Sequence, residues 1–109
     1  MTVTRTAAVL ALGSLLALGT VADKQARIFE AAHRLFAERR MKLTVYGVGR
    51  ALDLNPTAAR AFVEAGHEVA SHGHGHERVS DLSEAAFEQD LLRAKGVLED
   101  LTGQPVLGY

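Results

Sequence analysis

The strongest constraint on the fold of this chain is a regular alternation between strand-like and helix-like segments. The run Leu43–Val48 is rich in residues that favour β-strands, and the shorter run His67–Ser71 is the next strand candidate. The segments around these runs repeat apolar residues at the spacing of an α-helix. In Lys24–Arg40 that repeat consists of Ile28, Phe29, Ala32, Leu35 and Phe36. Strands alternating with helices predict an α/β fold with parallel strands and right-handed crossovers.

Capping residues predict where the first two helices begin and end. Asp23 stands where it could cap the first helix. Asn55-Pro56 is a helix-start signal, because asparagine caps well and proline is tolerated in the first turn. Gly66 is expected to end this second helix just before the strand His67–Ser71.

The last third of the chain predicts one long helix and the start of a further strand. Ser83 is placed to cap a helix that reaches Leu101, and Gly103 is placed to end it. The apolar positions of this helix are spaced four and three residues apart, which is typical of a core-facing stripe. We expect Val106–Tyr109 to begin another strand.

The N-terminal segment allows two interpretations. Arg5 is followed by an apolar run from Ala7 to Ala22 with small residues near its end. A basic start, an apolar stretch too short to span a membrane comfortably and small residues before Asp23 favour a secretory signal peptide. A continuous apolar run is also typical of a buried first strand. We therefore assign residues 1–22 to a signal peptide or an apolar first strand, and residues 23–109 to the domain.

These two interpretations predict different locations. A signal peptide predicts a secreted or extracytoplasmic protein, whereas a core strand predicts a cytoplasmic one. Neither predicts a stable membrane span.

Composition narrows the function classes. The chain is 48% hydrophobic and 23% charged, which is typical of a globular domain. Its net charge of −1 gives no basic footprint for nucleic acid. Because it has no cysteine, any metal site must use histidine, aspartate or glutamate. Composition leaves the oligomeric state open.

The segment Ser71–His76 carries the main chemical signal. Its sequence, SHGHGH, holds three of the five histidines of the chain. His72 and His76 are four residues apart, a spacing that lets two imidazoles converge on one divalent cation, for which zinc is the first candidate. In α/β folds ligands gather beyond the carboxyl ends of the strands, where this segment is expected to lie. Taken alone, such a glycine-rich histidine loop is also compatible with ordinary surface.

Several motifs in order resemble the polysaccharide deacetylase family, the NodB-homology hydrolases of carbohydrate esterase type. A strand, a helix start, a second strand and two later turns all match the family's pattern. The matching segments are Thr44–Gly49 (TVYGVG), Asn55-Pro56, Ala65–His72 (AGHEVASH), His76–Ser83 (HERVSDLS) and Leu101–Pro105 (LTGQP).

The resemblance implies a distorted (β/α) barrel that removes acetyl groups from chitin, peptidoglycan or xylan. Family members hold a divalent metal with an aspartate and two histidines, and His72 and His76 match those histidines. The polysaccharide would be the substrate and partner. In the family a carboxylate acts as the base, and a later histidine protonates the leaving group.

The chain also departs from the family's pattern. It lacks the Asp-Asp-Gly motif that supplies the base and the third ligand. Asp23 lies at about the right distance before Thr44 to be a remnant of that motif and a metal ligand. The alternative is that it simply follows a cleavage site. The later Arg-Pro and histidine motifs are also not found. We therefore expect a partial domain, a fragment of a hydrolase whose catalysis is incomplete and whose catalytic residues are unknown.

Two alternatives to a deacetylase stay open. Gly47–Leu52 also resembles the allantoinase-like branch of the superfamily, which hydrolyses a cyclic amide, although His76 favours the deacetylase side. The missing Asp-Asp pair instead favours a non-catalytic remnant that binds carbohydrate or metal.

The remaining polar residues are expected to have ordinary roles. We expect His33 to be solvated and His67 to be structural. His74 is expected to be exposed or to contact substrate. Glu68 is expected to form scaffold hydrogen bonds, and Asp81 to belong to the turn that enters the last helix.

Overall fold

Three parallel strands form a sheet in the order β1–β2–β3. The computed structural model describes residues 5–8 and 19–109. The strands are β1 (Arg5–Ala8), β2 (Lys42–Gly47) and β3 (Glu68–Ser71). The α/β architecture with parallel strands and intervening helices is therefore confirmed.

Four α-helices and one short 3-10 turn complete the described fold. Their bounds are α1 (Gly19–Glu38), α2 (Gly49–Asp53), α3 (Pro56–Glu64), the 3-10 turn Val79–Asp81 and α4 (Glu84–Thr102). Because β2 and β3 run parallel with Gly47 opposite Ser71, their carboxyl ends lie at the same edge of the sheet.

The core lies between the sheet and helices α3 and α4. Strand β2 alternates between half-buried and buried residues, so that Leu43 and Val45 point into the core at 2% and 0% exposure. Phe62 from α3 and Leu98 from α4 belong to the same buried cluster. Burying each of these side chains contributes about 1.5–3 kcal/mol, so this cluster dominates the stability of the sheet.

The predicted caps of α3 and α4 are confirmed. The Asn55 side chain accepts a hydrogen bond from the Ala58 N–H at 3.3 Å. The Ser83 hydroxyl oxygen accepts one from the Ala86 N–H at 3.1 Å. Gly103 ends α4 with a φ of 66°, a left-handed conformation that glycine adopts without strain.

The predicted start of the first helix is wrong. Helix α1 begins at Gly19, so Asp23 lies inside it and does not cap it. The helical pattern continues upstream of the polar residue, because the preceding small and apolar residues are compatible with a helix. The Asp23 side chain lies outside what the structure describes, and its role as a metal ligand stays a prediction.

The predicted strand Val106–Tyr109 is also wrong. This segment has no regular secondary structure in the described chain, although the Ser71 N–H donates to the Gly108 carbonyl at 2.8 Å. A single backbone hydrogen bond places the segment beside β3 without building a ladder.

Helix α2 was not predicted, because five residues are too few to show a helical repeat. It follows β2 directly and lies at the sheet edge where the carboxyl ends of the strands meet.

The N-terminal apolar run is described only in part. Arg5–Ala8 pair in parallel with Lys42–Val45, whereas residues 9–18 lie outside the described residues. The division at residue 22 and the signal peptide therefore stay predictions. Among the helices of the described chain, none is long and apolar enough to cross a membrane.

Candidate metal centre

The histidine segment starts where β3 leaves the sheet. The Ser71 side chain is buried at 2% exposure, and the His72 N–H donates to the Gly47 carbonyl at 2.8 Å. This bond extends the pairing of β2 and β3 by one residue. It therefore fixes His72 at the carboxyl edge of the sheet.

Two residues with a left-handed backbone conformation fold the histidine segment back on itself. Gly73 has a φ of 78°, and its N–H donates to the Ser71 hydroxyl oxygen at 3.2 Å. His76 has a φ of 60°, which is uncommon for a residue with a side chain. Such a conformation costs of order 1–3 kcal/mol and is often found at functional sites. Here it brings the His76 side chain towards His72.

The imidazoles of His72 and His76 lie side by side. Their ring centroids are 5.1 Å apart and their planes are inclined at 53°. Both rings line an open pocket of about 330 Å³ with Glu77, Arg78, Val79 and Tyr109. The structure therefore brings the two predicted ligands together.

This pair fits part of a metal site. Imidazole nitrogen is a good ligand for zinc and related divalent ions, and both rings reach the same pocket. A catalytic zinc generally takes three protein ligands. In the part of the chain that the structure describes, no group of three histidine, aspartate or glutamate side chains comes together. The described residues thus bring together two imidazole side chains of the type that binds such an ion.

The backbone between the two histidines is held from both sides. The N–H groups of Gly49 and Arg50, at the start of α2, donate to the carbonyls of Gly73 and His74 at 2.9 and 3.1 Å. From α4, the Asp90 carboxylate accepts from the N–H groups of His74 and Gly75 at 2.9 and 3.1 Å.

The expected exposure of His74 is wrong. The residue is 8% exposed, and among the described atoms its buried Nδ1 has no hydrogen-bond partner. A Cβ at Gly49 would lie 2.8 Å from that nitrogen, which shows how closely α2 packs on the ring. Burial, followed by the charge of Arg93, lowers the pKa of His74. Its side chain is buried because the ring packs against the start of α2.

The expected solvation of His33 is wrong as well. Its ring, half-buried on α1, packs edge-on against His67 and Phe62 at centroid distances of 5.9 and 6.5 Å. The structural role of His67 is confirmed, since its Nδ1 accepts a hydrogen bond from the Leu43 N–H at 3.1 Å.

The two acidic side chains also have the expected ordinary roles. Glu68 accepts a hydrogen bond from the Thr44 hydroxyl at 3.0 Å, as a scaffold residue would. Asp81 lies in the 3-10 turn just before α4.

Comparison with known proteins identifies the family. The family model for polysaccharide deacetylases matches residues 17–109, which is most of the chain. The chain belongs to the polysaccharide deacetylase family. Members of this family are hydrolases that act on carbon–nitrogen bonds other than peptide bonds.

Individual relatives agree with this assignment. The chain is 30% identical over 76 residues to a peptidoglycan deacetylase of Helicobacter pylori, a match covering 70% of this chain and 26% of the relative. A probable polysaccharide deacetylase from Pseudomonas aeruginosa PAO1 is 36% identical with a TM-score of 0.69, over 72% of this chain and 26% of that chain. The Puue allantoinase is 35% identical with a TM-score of 0.65, over 68% and 24%. The chain thus spans about a quarter of the length of these relatives.

Within this deacetylase domain, sequence reasoning missed Asp90. The signal that could have found it is its position on α4. Asp90 lies three residues after Phe87 and four before Ala94, so a carboxylate stands at the spacing of the inward-facing apolar residues. A charged group at such a position requires partners, and the loop N–H groups are those partners.

Proposed function

We propose that this chain carries the histidine pair of a metal-dependent deacetylase that acts on a polysaccharide of the chitin, peptidoglycan or xylan type. The observation that supports this most directly is the convergence of His72 and His76 on one pocket at the carboxyl edge of a parallel sheet. The match to a peptidoglycan deacetylase supports the substrate class.

His72 and His76 would hold the metal through their imidazole nitrogens, and zinc is the metal that we propose. When bound, such a metal polarises a carbonyl oxygen and lowers the pKa of a water molecule. Asp23 is the candidate for the third ligand. The polar side chains Glu77 and Arg78 line the same pocket, where they could orient the hydroxyl groups of a sugar.

Acetate release tests this proposal. The chain, purified without metal and then loaded with zinc, is incubated with acetylated chitin oligosaccharides, peptidoglycan and acetylated xylan. Because the chain lacks the Asp-Asp-Gly motif, we expect acetate release to be weak, to require zinc and to be abolished by His72→Ala and by His76→Ala. His33→Gln, which changes a histidine outside the pocket, is the matched control and is expected to keep the activity. Zinc affinity that survives His72→Ala and His76→Ala together would reject the shared metal site.

A cyclic amide hydrolase is the second candidate, and the 35% identity to the Puue allantoinase favours it. Assaying allantoin beside the acetylated sugars separates the two activities. Turnover of allantoin without acetate release would replace the deacetylase proposal. Binding of zinc or sugar without turnover of either substrate would support a non-catalytic role.

We further propose that the protein acts outside the cytoplasm, because residues 7–22 have the apolar character of an export signal. The competing interpretation is supported by the pairing of Arg5–Ala8 with β2. The intact mass of the protein from its natural source separates them. Trimming near Ala22 supports export, whereas a chain that retains Met1 supports the core strand.

A further inference from the structure

The loop between the two histidines is bonded to one side chain of helix α4. The two carboxylate oxygens of Asp90 accept hydrogen bonds from consecutive N–H groups: Oδ2 from His74 and Oδ1 from Gly75. The bonds are 2.9 and 3.1 Å long and connect residues 15 or 16 positions apart in the chain. Hydrogen bonds to an ionised acceptor are about twice as strong as neutral ones.

The loop has little rigidity of its own. Glycines at positions 73 and 75 flank His74 and allow a wide range of backbone angles. The spacing of His72 and His76 therefore depends on bonds from outside the loop. On the α2 side these bonds come from backbone N–H groups, whereas on the α4 side they depend on the Asp90 side chain.

The close approach of Asp90 also explains the residue at position 73. A Cβ there would lie 2.8 Å from Asp90 Oδ2, closer than real Cβ contacts. The absence of a side chain at Gly73 thus lets the loop pack directly against the Asp90 carboxylate of α4.

We infer that Asp90 is a positioning residue for the metal pair: through the backbone of His74 and Gly75 it sets the relative placement of the His72 and His76 imidazoles. This inference rests on the proposed metal-binding function of that pair. Asp90 does not touch the metal or the substrate in this role.

A purely structural role for Asp90 makes a different prediction. If the carboxylate only stabilises the fold, its removal lowers the stability of the chain but leaves the metal site of the folded molecules unchanged. If it positions the pair, the folded variant binds metal more weakly and with altered ligand geometry.

Cobalt(II) is the probe that separates these roles, because its visible absorption reports ligand geometry. We compare the full chain with Asp90→Asn, which is nearly isosteric but offers one acceptor oxygen in place of two. Asp100→Asn, which removes an equal charge from an exposed position of the same helix, is the control. We expect Asp90→Asn to bind cobalt at least about 10-fold more weakly and with a changed spectrum, as is typical when groups that orient ligands are lost. Asp100→Asn is expected to match the unmodified chain.

Each outcome decides one of the two proposals. Cobalt affinity and spectrum unchanged in folded Asp90→Asn, but lost in His72→Ala with His76→Ala, would overturn the positioning role and keep the metal site. No cobalt binding by the unmodified chain would overturn the proposed function itself.

If the unmodified chain does not bind cobalt, NMR of the metal-free chain still tests the positioning role of Asp90. We expect Asp90→Asn to lose exchange protection at the His74 and Gly75 amides and to shift the ring resonances of His72 and His76. Unshifted ring resonances would overturn the positioning role.

If Asp90→Asn does not fold, Asp90→Glu replaces it in the cobalt experiment. Glutamate keeps the charge and both acceptor oxygens but is one methylene longer, so it displaces the loop it holds. A positioning role predicts a changed cobalt spectrum, and an unchanged spectrum would overturn it.

Discussion

Among single residues, Gly73 is the one whose replacement should most disturb the histidine loop. Gly73 combines a left-handed φ of 78° with a Cβ position 2.8 Å from the Asp90 carboxylate. Its conformation and its surroundings therefore both disfavour a side chain.

We predict that Gly73→Ala destabilises the fold by about 1–3 kcal/mol, because alanine is strained at positive φ and would displace Asp90. Gly96→Ala is the matched control. Gly96 lies in α4, and a Cβ there meets nothing within 4 Å, so this substitution should stabilise the chain by up to about 1 kcal/mol. Urea unfolding measures both changes. Equal effects of the two substitutions would contradict the described loop.

His67 makes stability depend on pH. Its neutral Nδ1 accepts the Leu43 N–H, and burial, then the charges of His33 and Lys42, lower the pKa of His67 below 6.5. The unfolded chain therefore binds this proton more readily than the folded chain does. The stability from neutral His67 is fully present above pH 6.5 and is lost as the pH falls through the lowered pKa.

We accordingly expect the free energy of unfolding to fall between pH 7.5 and 5, as measured by urea denaturation at several pH values. His67→Gln should be less stable at neutral pH by about 1 kcal/mol, since glutamine reproduces neither the packing of the ring nor the hydrogen bond from the Leu43 N–H to Nδ1. It should also show a shallower pH dependence in this range. A slope identical to that of the unmodified chain would show that other groups cause the dependence.

At the scale of elements, α4 is the helix whose limits follow most directly from local chemistry. Ser83 caps its first turn and Gly103 ends it in a left-handed conformation. Helix α4 also places Leu98 in the core and Asp90 beside the histidine loop. The position at which the helix starts therefore affects the placement of both side chains.

We predict that Ser83→Ala costs about 1 kcal/mol, because the Ala86 N–H loses its acceptor. Ser80→Ala, in the exposed 3-10 turn just before the cap, should change stability by less than about 0.5 kcal/mol. Thermal unfolding of the two variants provides the comparison. A larger loss for Ser80→Ala would contradict the assigned cap.

The elements also show which structural features local sequence patterns can predict. The caps at Asn55 and Ser83 were predictable, because each capping bond joins residues three positions apart. Helix α2 was not predictable, because it is too short for a periodic pattern. The irregular structure of Val106–Tyr109 was not predictable either, because this segment pairs with β3 through a single bond. The early start of α1 was missed because the apolar residues before Asp23 were compatible with several structures.

At the scale of the whole molecule, the proposed metal site couples binding to stability. A metal that binds only the folded chain stabilises it by about 2.7 kcal/mol when its free concentration is 100 times the dissociation constant. His72 and His76 come together only in the folded chain, since their convergence depends on the sheet edge and on α4.

We therefore expect zinc to raise the melting temperature of the chain, and His72→Ala with His76→Ala to abolish the rise. Magnesium, which prefers oxygen ligands, is the control and should have little effect. Differential scanning fluorimetry of the metal-free protein provides the measurement. An equal rise with zinc in the double variant would place zinc binding elsewhere.

Sequence alone was enough to predict the alternation of strands and helices, the caps of α3 and α4, and His72 and His76 as the candidate ligand pair. These properties depend on residues close together in the chain, where spacing and side-chain type carry the information. The folded structure was needed to show that His74 is buried, that His33 packs on His67 and that Asp90 bonds to the histidine loop. Those contacts join residues from separate elements, and their partners are chosen by how the helices pack on the sheet.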